Sequence, residues 1–461
     1  MIKRRAAKAT ALLDNRLALA DEALLAEHQA AGMNVVIQVT WLYQHAIDFD
    51  ELRRFHRNLG LGLLGRRIER PALPIARHRW VVDRGPSDIE FTERIRPRAE
   101  FSEWVDERSQ LPIDAVAGPG WHLGAVPLDD GSTAVSLVLS HNLIDGLGLA
   151  LVIIEAALGK TRDLGYPAPQ SRTRMRGVVQ DARQTASDVP EVARALAVAA
   201  KLARNQSKAA GTRPPAAPAA QSRAVSETGR DDVVLVPAIT VYVDLADWDA
   251  RAEELGGASH TLAAAFAAKL GERAGRRRAA DGAVTLQIPI SDRTEEDTRA
   301  MALSYARVSI DPLPLTTDLR DVRSAIKRTL RAMKDTPDES RQLLWLPSFA
   351  PKRSLKRMAA RVPADPDQSV FCSYLGDLDS IIGCPDGTVA EVENARATGQ
   401  RESRKLLDRI GGRMFILSGR INGKIFISVG SYQPGAVNTK SALRELAQAT
   451  LDDFKLAGVI E

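Results

Sequence analysis

The stretch Ser140-His141-Asn142-Leu143-Ile144-Asp145-Gly146 sets a base, an acid and a glycine within a few residues of one another. An imidazole has an ordinary pKa of about 6.5, so it can take a proton near neutrality and return it. A carboxylate four residues on could hold the surrounding loop, or could simply cap the helix that follows, and Gly146 would relieve strain in the turn. The apolar run TAVSLVL reads as a strand ending at Ser140, and LGLALVIIEAAL beyond the loop has helical character. His141 thus falls in a strand-to-helix loop, where reactive side chains are more often found than inside elements.

Other candidates are weaker. His45 and Asp48 also pair a base with an acid, but they lie between a strand and a helix whose N-terminus Asp48 or Asp50 would cap. Gly60 to Gly65 matches GxGxxG, yet it trails a helix instead of linking a strand to one, so a dinucleotide site is set aside. Cys372 and Cys384, the two cysteines, have no nearby histidine, and no metal constellation is visible. The basic clusters RAGRRR (Arg273 to Arg278) and PKRSLKR (Pro351 to Arg357) have no interleaved aromatics, and only 5% of the chain is aromatic, which argues against nucleic acid. They read as solvated faces, as contacts for donor phosphates, or as attraction to anionic lipid.

The elements that must position His141 divide into two halves. Asn205 to Arg230 replaces hydrophobic periodicity with Pro, Ala, Ser and Gly and reads as a linker, leaving an N-terminal lobe (1–204) that carries the motif and a C-terminal lobe (231–461). The first half shows helix, strand and helix in ALADEALLAEHQAA, MNVVIQVTWLY and DFDELRRFHRNLGLGLL, and a helix from Val189 to Arg204 precedes the linker. The second half has strands in DVVLVPAITVYVDL, VTLQIPI and ALSYARVSI and helices in LADWDARAEELG and HTLAAAFAAKLGERAG. Asn422-Gly423 between two apolar runs predicts a hairpin, and Lys440 to Leu456 a last helix. The class is mixed α/β.

With 44% hydrophobic and 26% charged residues, the 461-residue chain has an ordinary globular composition, which excludes a fibrous or wholly disordered protein. A formal charge of +5 is thin over this length, and neither a secretory signal nor a long apolar run is apparent, so a cytoplasmic protein is expected.

The segment GWHLGAVPLDDGSTAVSLVLSHNLIDGLGLALVI resembles the signature of the chloramphenicol acetyltransferase-like superfamily, which includes condensation domains, wax ester synthase/diacylglycerol acyltransferases and polyketide-associated acyltransferases. The usual motif is HHxxxDG with the second histidine catalytic; here Ser140 replaces the first. RLALADEALLAEHQAAGMNVVIQVTWLY is similar to the family's opening segment, VTLQIPISDR to a second-half strand, and SVFCSYLGDLDS to its late Ser-Asn-x-Gly strand and loop, with Tyr374 in place of Asn.

The resemblance implies a two-lobed α/β fold with mixed sheets, flanking helices and a tunnel between the lobes. It implies an acyltransferase in lipid or natural-product biosynthesis that moves an acyl group from coenzyme A or a carrier-protein pantetheine to a hydroxyl or amine of a small molecule or lipid. Nothing need be bound as a cofactor; the acyl thioester is a substrate, and an acyl carrier protein and peripheral membrane contact are possible partners. His141 would be the general base, and Asp145 would pair with an arginine, Arg66 or Arg67 in LLGRRIE. Those arginines could instead be a solvated helix end. Ser373 would present a tunnel hydroxyl, or be satisfied by backbone. An amide-forming condensation enzyme and a catalytically silent scaffold are the alternatives.

Overall fold

The computed structural model describes residues 14–210, 232–335 and 365–461, together with 344–345, 354 and 357. The first half runs α1 (Leu19–Ala31), β1 (Val35–Tyr43), α2 (Phe49–Leu59), β2 (Arg66–Glu69), β3 (Arg79–Val82), β4 (Glu90–Phe91), α3 (Phe101–Ser109), β5 (Trp121–Pro127), β6 (Thr133–Ser140), α4 (Gly146–Ala157) and α5 (Arg174–Ala210). After it come β7 (Val233–Val234), β8 (Ala238–Asp244), α6 (Leu245–Glu254), α7 (Ser259–Arg273), β9 (Val284–Ser291), β10 (Leu303–Ile310) and α8 (Arg320–Asp335). The chain closes with β11 (Val370–Asp377), β12 (Val392–Gly399), β13 (Glu402–Ser403), α9 (Arg404–Arg409), β14 (Arg413–Ile421), β15 (Lys424–Tyr432), α10 (Lys440–Asp453) and β16 (Val459–Ile460).

Two sheets organise these elements. The first has strand order β12-β1-β6-β5-β4, the second β10-β9-β11-β14-β15-β8-β16. Every residue of β6, and all of β1 after Val35, is buried, because helices and loops cover both faces. That is why both read as near-continuous apolar runs without alternation. Trp41, Phe55, Trp121 and Ile153 belong to the core of the first sheet, and Trp248, Phe266, Ile427 and Phe454 to that of the second. Asp48 caps α2 by accepting from the amides of Asp50 and Glu51. Asn422 and Gly423 both take positive φ, 47° and 73°, which a tight turn between β14 and β15 requires.

Two sequence boundaries move. β12 comes from the second half, yet it pairs with β1 along its length, from Val35 opposite Gly399 to Leu42 opposite Val392. The helix expected to begin at Val189 begins at Arg174 and continues through Pro190 to Ala210. Proline ordinarily starts a helix, but here tertiary ion pairs hold the turns that precede it. Fully buried Asp181 accepts from the amide of Ala72 and from Arg79 and Arg172, and Asp188 pairs with Arg16 and Arg77. The first residues of the expected linker, 205–210, therefore end α5, and 211–230 lie outside the described residues.

Of the two basic clusters, 351–357 lies outside the described residues apart from Ser354 and Arg357. In the other, Arg273 and Arg277 are exposed, as a solvated face requires, and Arg276 alone departs from that reading. Arg273 pairs with Asp453, Arg277 with Glu272 and Arg278 with Asp281, while Arg276 is buried and donates to the carbonyls of Gln368 and Tyr432.

Candidate active site

β6 delivers the chain into a turn at His141, and α4 starts at Gly146. The amide of His141 donates to the carbonyl of Val35 on β1 (2.9 Å), so the turn is pinned where the first sheet ends. Asp145 caps α4, accepting from the amide of Gly148 at 2.8 Å. It also forms a bidentate pair with Arg293, whose Nε and Nη2 donate at 3.0 and 2.6 Å, and it accepts from the amide of Ala302 at 3.0 Å. Both side chains are almost wholly removed from water. Such a pair repays its desolvation only where geometry is good and the remaining donors are satisfied. The geometry is good, and the guanidinium also donates through Nη1 to the carbonyl of Asp297 and through Nη2 to those of Arg299 and Ala300.

The partner of Asp145 is thus Arg293, just after β9, and neither Arg66 nor Arg67. Arg66 lies fully buried, 3.9 Å above the ring of Trp80, and donates to the carbonyls of Leu143 (2.8 Å) and Thr298 (2.5 Å). It therefore holds the same loop by its backbone. Arg67 faces Asp83 at 3.5 Å and the carbonyl of Val116. The chain position of an arginine says nothing about which loop folds over it, which is why LLGRRIE misled.

Gly146 also differs from expectation. Its φ is not positive, and a Cβ there would meet only Leu375, at an ordinary 3.5 Å. The glycine that close packing demands is Gly148, where a Cβ would sit 2.6 Å from Ile144 and 2.9 Å from the Arg293 guanidinium carbon.

Beneath the loop runs a polar chain that the sequence did not announce. The Ser140 hydroxyl accepts from the amide of Asn142 (3.3 Å) and from its Nδ2 (3.5 Å), and His28 Nδ1 on α1 donates to Asn142 Oδ1 at 3.1 Å. Burial pushes the His28 imidazole down to about 4, with the neighbouring His141 lowering it further. His141 is also held below its ordinary value by burial, against smaller opposing effects of its own backbone and Asp145. Its Nδ1 is buried with no hydrogen-bond partner among the described residues. The available signal for His28 was spacing: Asp21, Glu22, Leu25 and His28 form the buried face of α1. For Arg293 it was a charge placed directly after an apolar strand.

One cavity borders this loop and another lies along α1. A small one of about 40 Å³, walled mainly by apolar side chains, lies between Gly146, Leu149 and Ile153 of α4 and residues such as Leu375, Leu417 and Phe426 of the second half. A larger one of about 840 Å³ lies between α1 and the second half, bordered by Glu27, Arg307, Phe371, Arg409 and Arg413. Ser373 sits on β11 two residues from Phe371, in the wall of the larger cavity, and two from Leu375, in that of the smaller. Strand alternation gives Ser373 the same face as Phe371. Its carbonyl accepts from the Ser418 hydroxyl at 3.2 Å, while its own hydroxyl has no partner among the described residues. Among the described residues no cluster of His, Cys, Asp and Glu could hold a metal, and no helix is long and apolar enough to cross a membrane.

This architecture is the chloramphenicol acetyltransferase-like fold of condensation domains and related acyltransferases. Polyketide synthase associated protein 5 from Mycobacterium tuberculosis superposes with a TM-score of 0.52 at 16% identity, over 95% of this chain and 97% of that one. The first condensation domain of the CDA synthetase gives 0.53 at 13%, over 97% and 100%. A trichothecene 15-O-acetyltransferase from Fusarium sporotrichioides gives 0.55 at 11%, over 95% and 94%. No protein-family model and no curated protein matches the sequence.

Proposed function

We propose that this protein is an acyltransferase that uses His141 as a general base. The observation that carries the reading is the clamp joining Asp145 to Arg293 and Ala302, which fixes the His141 loop against the second half beside the cavity that Gly146 lines. Burial keeps the His141 imidazole neutral near pH 7, the form that can accept a proton. The acceptor hydroxyl or amine gives its proton to His141 while its oxygen or nitrogen bonds to the acyl carbonyl carbon. The carbon–sulfur bond then breaks, and the proton passes to the departing thiolate. No covalent acyl-enzyme is needed. A base so placed supplies roughly 10²–10⁴-fold, and orientation of the two substrates supplies much of the rest.

The donor in this reading is an acyl thioester of coenzyme A or of a carrier-protein pantetheine, and the acceptor a small molecule or lipid. The reading places the protein in the cytoplasm, with peripheral membrane contact where the acceptor is a lipid. The likeness of fold to a polyketide-associated protein, a condensation domain and an acetyltransferase supports acyl transfer over other chemistry. Purified protein should release free thiol from members of a panel of acyl thioesters and acceptors, with acylated product detected by mass spectrometry, and His141→Ala should cut both by about 10²-fold or more. Background thiol release from wild type across a broad panel would favour a silent scaffold instead.

A further inference from the structure

The small cavity beside Gly146 has one ionisable side chain in its wall, Glu393 on β12. Trp41 lies opposite Glu393 and Val39 opposite Ala395 in the β1–β12 register, so the carboxyl projects from the same sheet face as Ile37, Val39 and Ala395, which also line the cavity. Glu393 is 7% exposed. Its Oε1 accepts from Nδ2 of Asn422 at 2.7 Å, and its Oε2 has no partner among the described residues. A carboxyl with one oxygen uncommitted, on a residue this far removed from water beside an apolar hollow, is poorly solvated unless something meets it. Binding pockets commonly have this composition, an apolar wall with a few polar groups that fix orientation.

We propose that this cavity seats a short acyl group carrying a hydroxyl, and that Glu393 is the residue that recognises that hydroxyl. The proposal rests on the acyl-transfer reading and names the substrate class of the same site. Size argues for a short chain. An engineered cavity of about 150 Å³ holds benzene, so about 40 Å³ leaves room for roughly one or two heavy atoms beyond the carbonyl. The wide cavity next to α1 is the one with space for a pantetheine arm or a bulky acceptor.

The chemistry of the carboxyl argues for a hydroxyl over an ammonium. Burial raises Glu393 to about 7, with Glu391 acting in the same direction and Asn422 and Lys424 opposing, so both protonation states are populated near neutrality. A hydroxyl pairs with either state, donating to the carboxylate or accepting from the acid, whereas an ammonium pairs only with the carboxylate.

The test uses the full chain and non-transferable amide analogues, in which nitrogen replaces the thioester sulfur of acetyl-, glycolyl- and octanoyl-pantetheine. Calorimetric titration should show wild type binding the glycolyl analogue about tenfold more tightly than the acetyl one, with the octanoyl analogue weaker than both. Glu393→Leu should bring the glycolyl-to-acetyl ratio to near one, and Glu393→Gln, whose amide still hydrogen-bonds, should keep part of the preference and serves as the folding control. A wild-type ratio within twofold of one, an unchanged ratio in Glu393→Leu, octanoyl binding as tight as acetyl, or no measurable binding of any analogue would overturn the proposal. Because the titration needs no turnover, its outcome is separate from that of the His141→Ala assay. Transfer without the binding preference sinks this inference alone, and the preference without transfer sinks only the general-base reading.

Discussion

His141 lies beside the Asn142 network and His28 within it, and burial treats both alike while their chemistry differs. His141 is positioned by its backbone and keeps its buried Nδ1 free of partners among the described residues, whereas His28 is committed through Nδ1 to Asn142. Under the proposed mechanism His141→Ala should lower kcat/KM by about 10²–10⁴-fold. Because its pKa is depressed, the acid limb of the wild-type pH–rate profile should fall below pH 6.5 instead of at it. A limb at or above 6.5 would contradict the assignment of His141 as base. His28 makes a complementary statement about stability. Its folded pKa, about 4, lies below its ordinary 6.5, so below pH 6.5 the unfolded chain binds the extra proton first and stability falls with pH. The loss begins near 6.5, is complete below about 4, and approaches about 3 kcal/mol. His28→Gln, which cannot titrate, should lose less stability than wild type between pH 7 and 4 in paired urea titrations. Parallel curves for the two proteins would show that His28 is not the group being protonated. His122, pushed down to about 3 by burial and Arg108, acts in the same direction in both proteins and cancels from the comparison.

The element that decides the site is the segment from Arg293 to Ala302, which leaves β9 and crosses to the first half. Asp145 receives Arg293 and the amide of Ala302, and Asp21 on α1 accepts from the amides of Ala300 and Met301 at 3.0 and 2.8 Å. Removing one member of a buried ion pair leaves the other charge unpaired, so Arg293→Met should cost about 3–5 kcal/mol. In the double variant Arg293→Met/Asp145→Asn no charge is stranded and asparagine can still cap α4, so part of that loss should return in equilibrium urea unfolding. A double variant no more stable than the single one would mean that the loop packs through other contacts. The strand, turn and helix around His141 were legible because apolar runs, a capping carboxylate and closely spaced glycines are local signals. The Asn422-Gly423 hairpin and the Asp48 cap were legible for the same reason. Arg293 was not, since its partner lies 148 residues away and Arg293 itself looks locally like a solvated charge. Gly148 was passed over for Gly146 because only the packed guanidinium shows which position has no room for a Cβ.

At the scale of the whole molecule, the division into 1–204 and 231–461 describes the chain but not the sheets. Without the second half, β1 would present an open edge from Val36 to Leu42, and unpaired edges of this kind invite aggregation. Without the first half, β12 would have no sheet, since its partner is β1. Further bonds cross the same seam: Trp41 Nε1 donates to the carbonyl of Ile382, Arg396 pairs with Asp106 at 2.8 Å and donates to Gln38, and Lys440 reaches Asp106 at 2.5 Å. The apolar core of the first sheet likewise draws in Ala300, Ile382, Ile421 and Phe426 from the second half. With strand pairing, ion pairs and core all shared, local opening of one half should expose much of what stabilises the other. Scanning calorimetry of the intact chain is therefore expected to show one cooperative transition. Separately expressed 1–204 and 231–461 should each fail to give a folded, monomeric species, while co-expression should recover a complex. Two resolved transitions, or either half folding alone with a sharp melt, would show that β12 is dispensable. The site at the end of β6 would then rest on the first half by itself, and the clamp from Arg293 would be an accessory to a fold that does not need it.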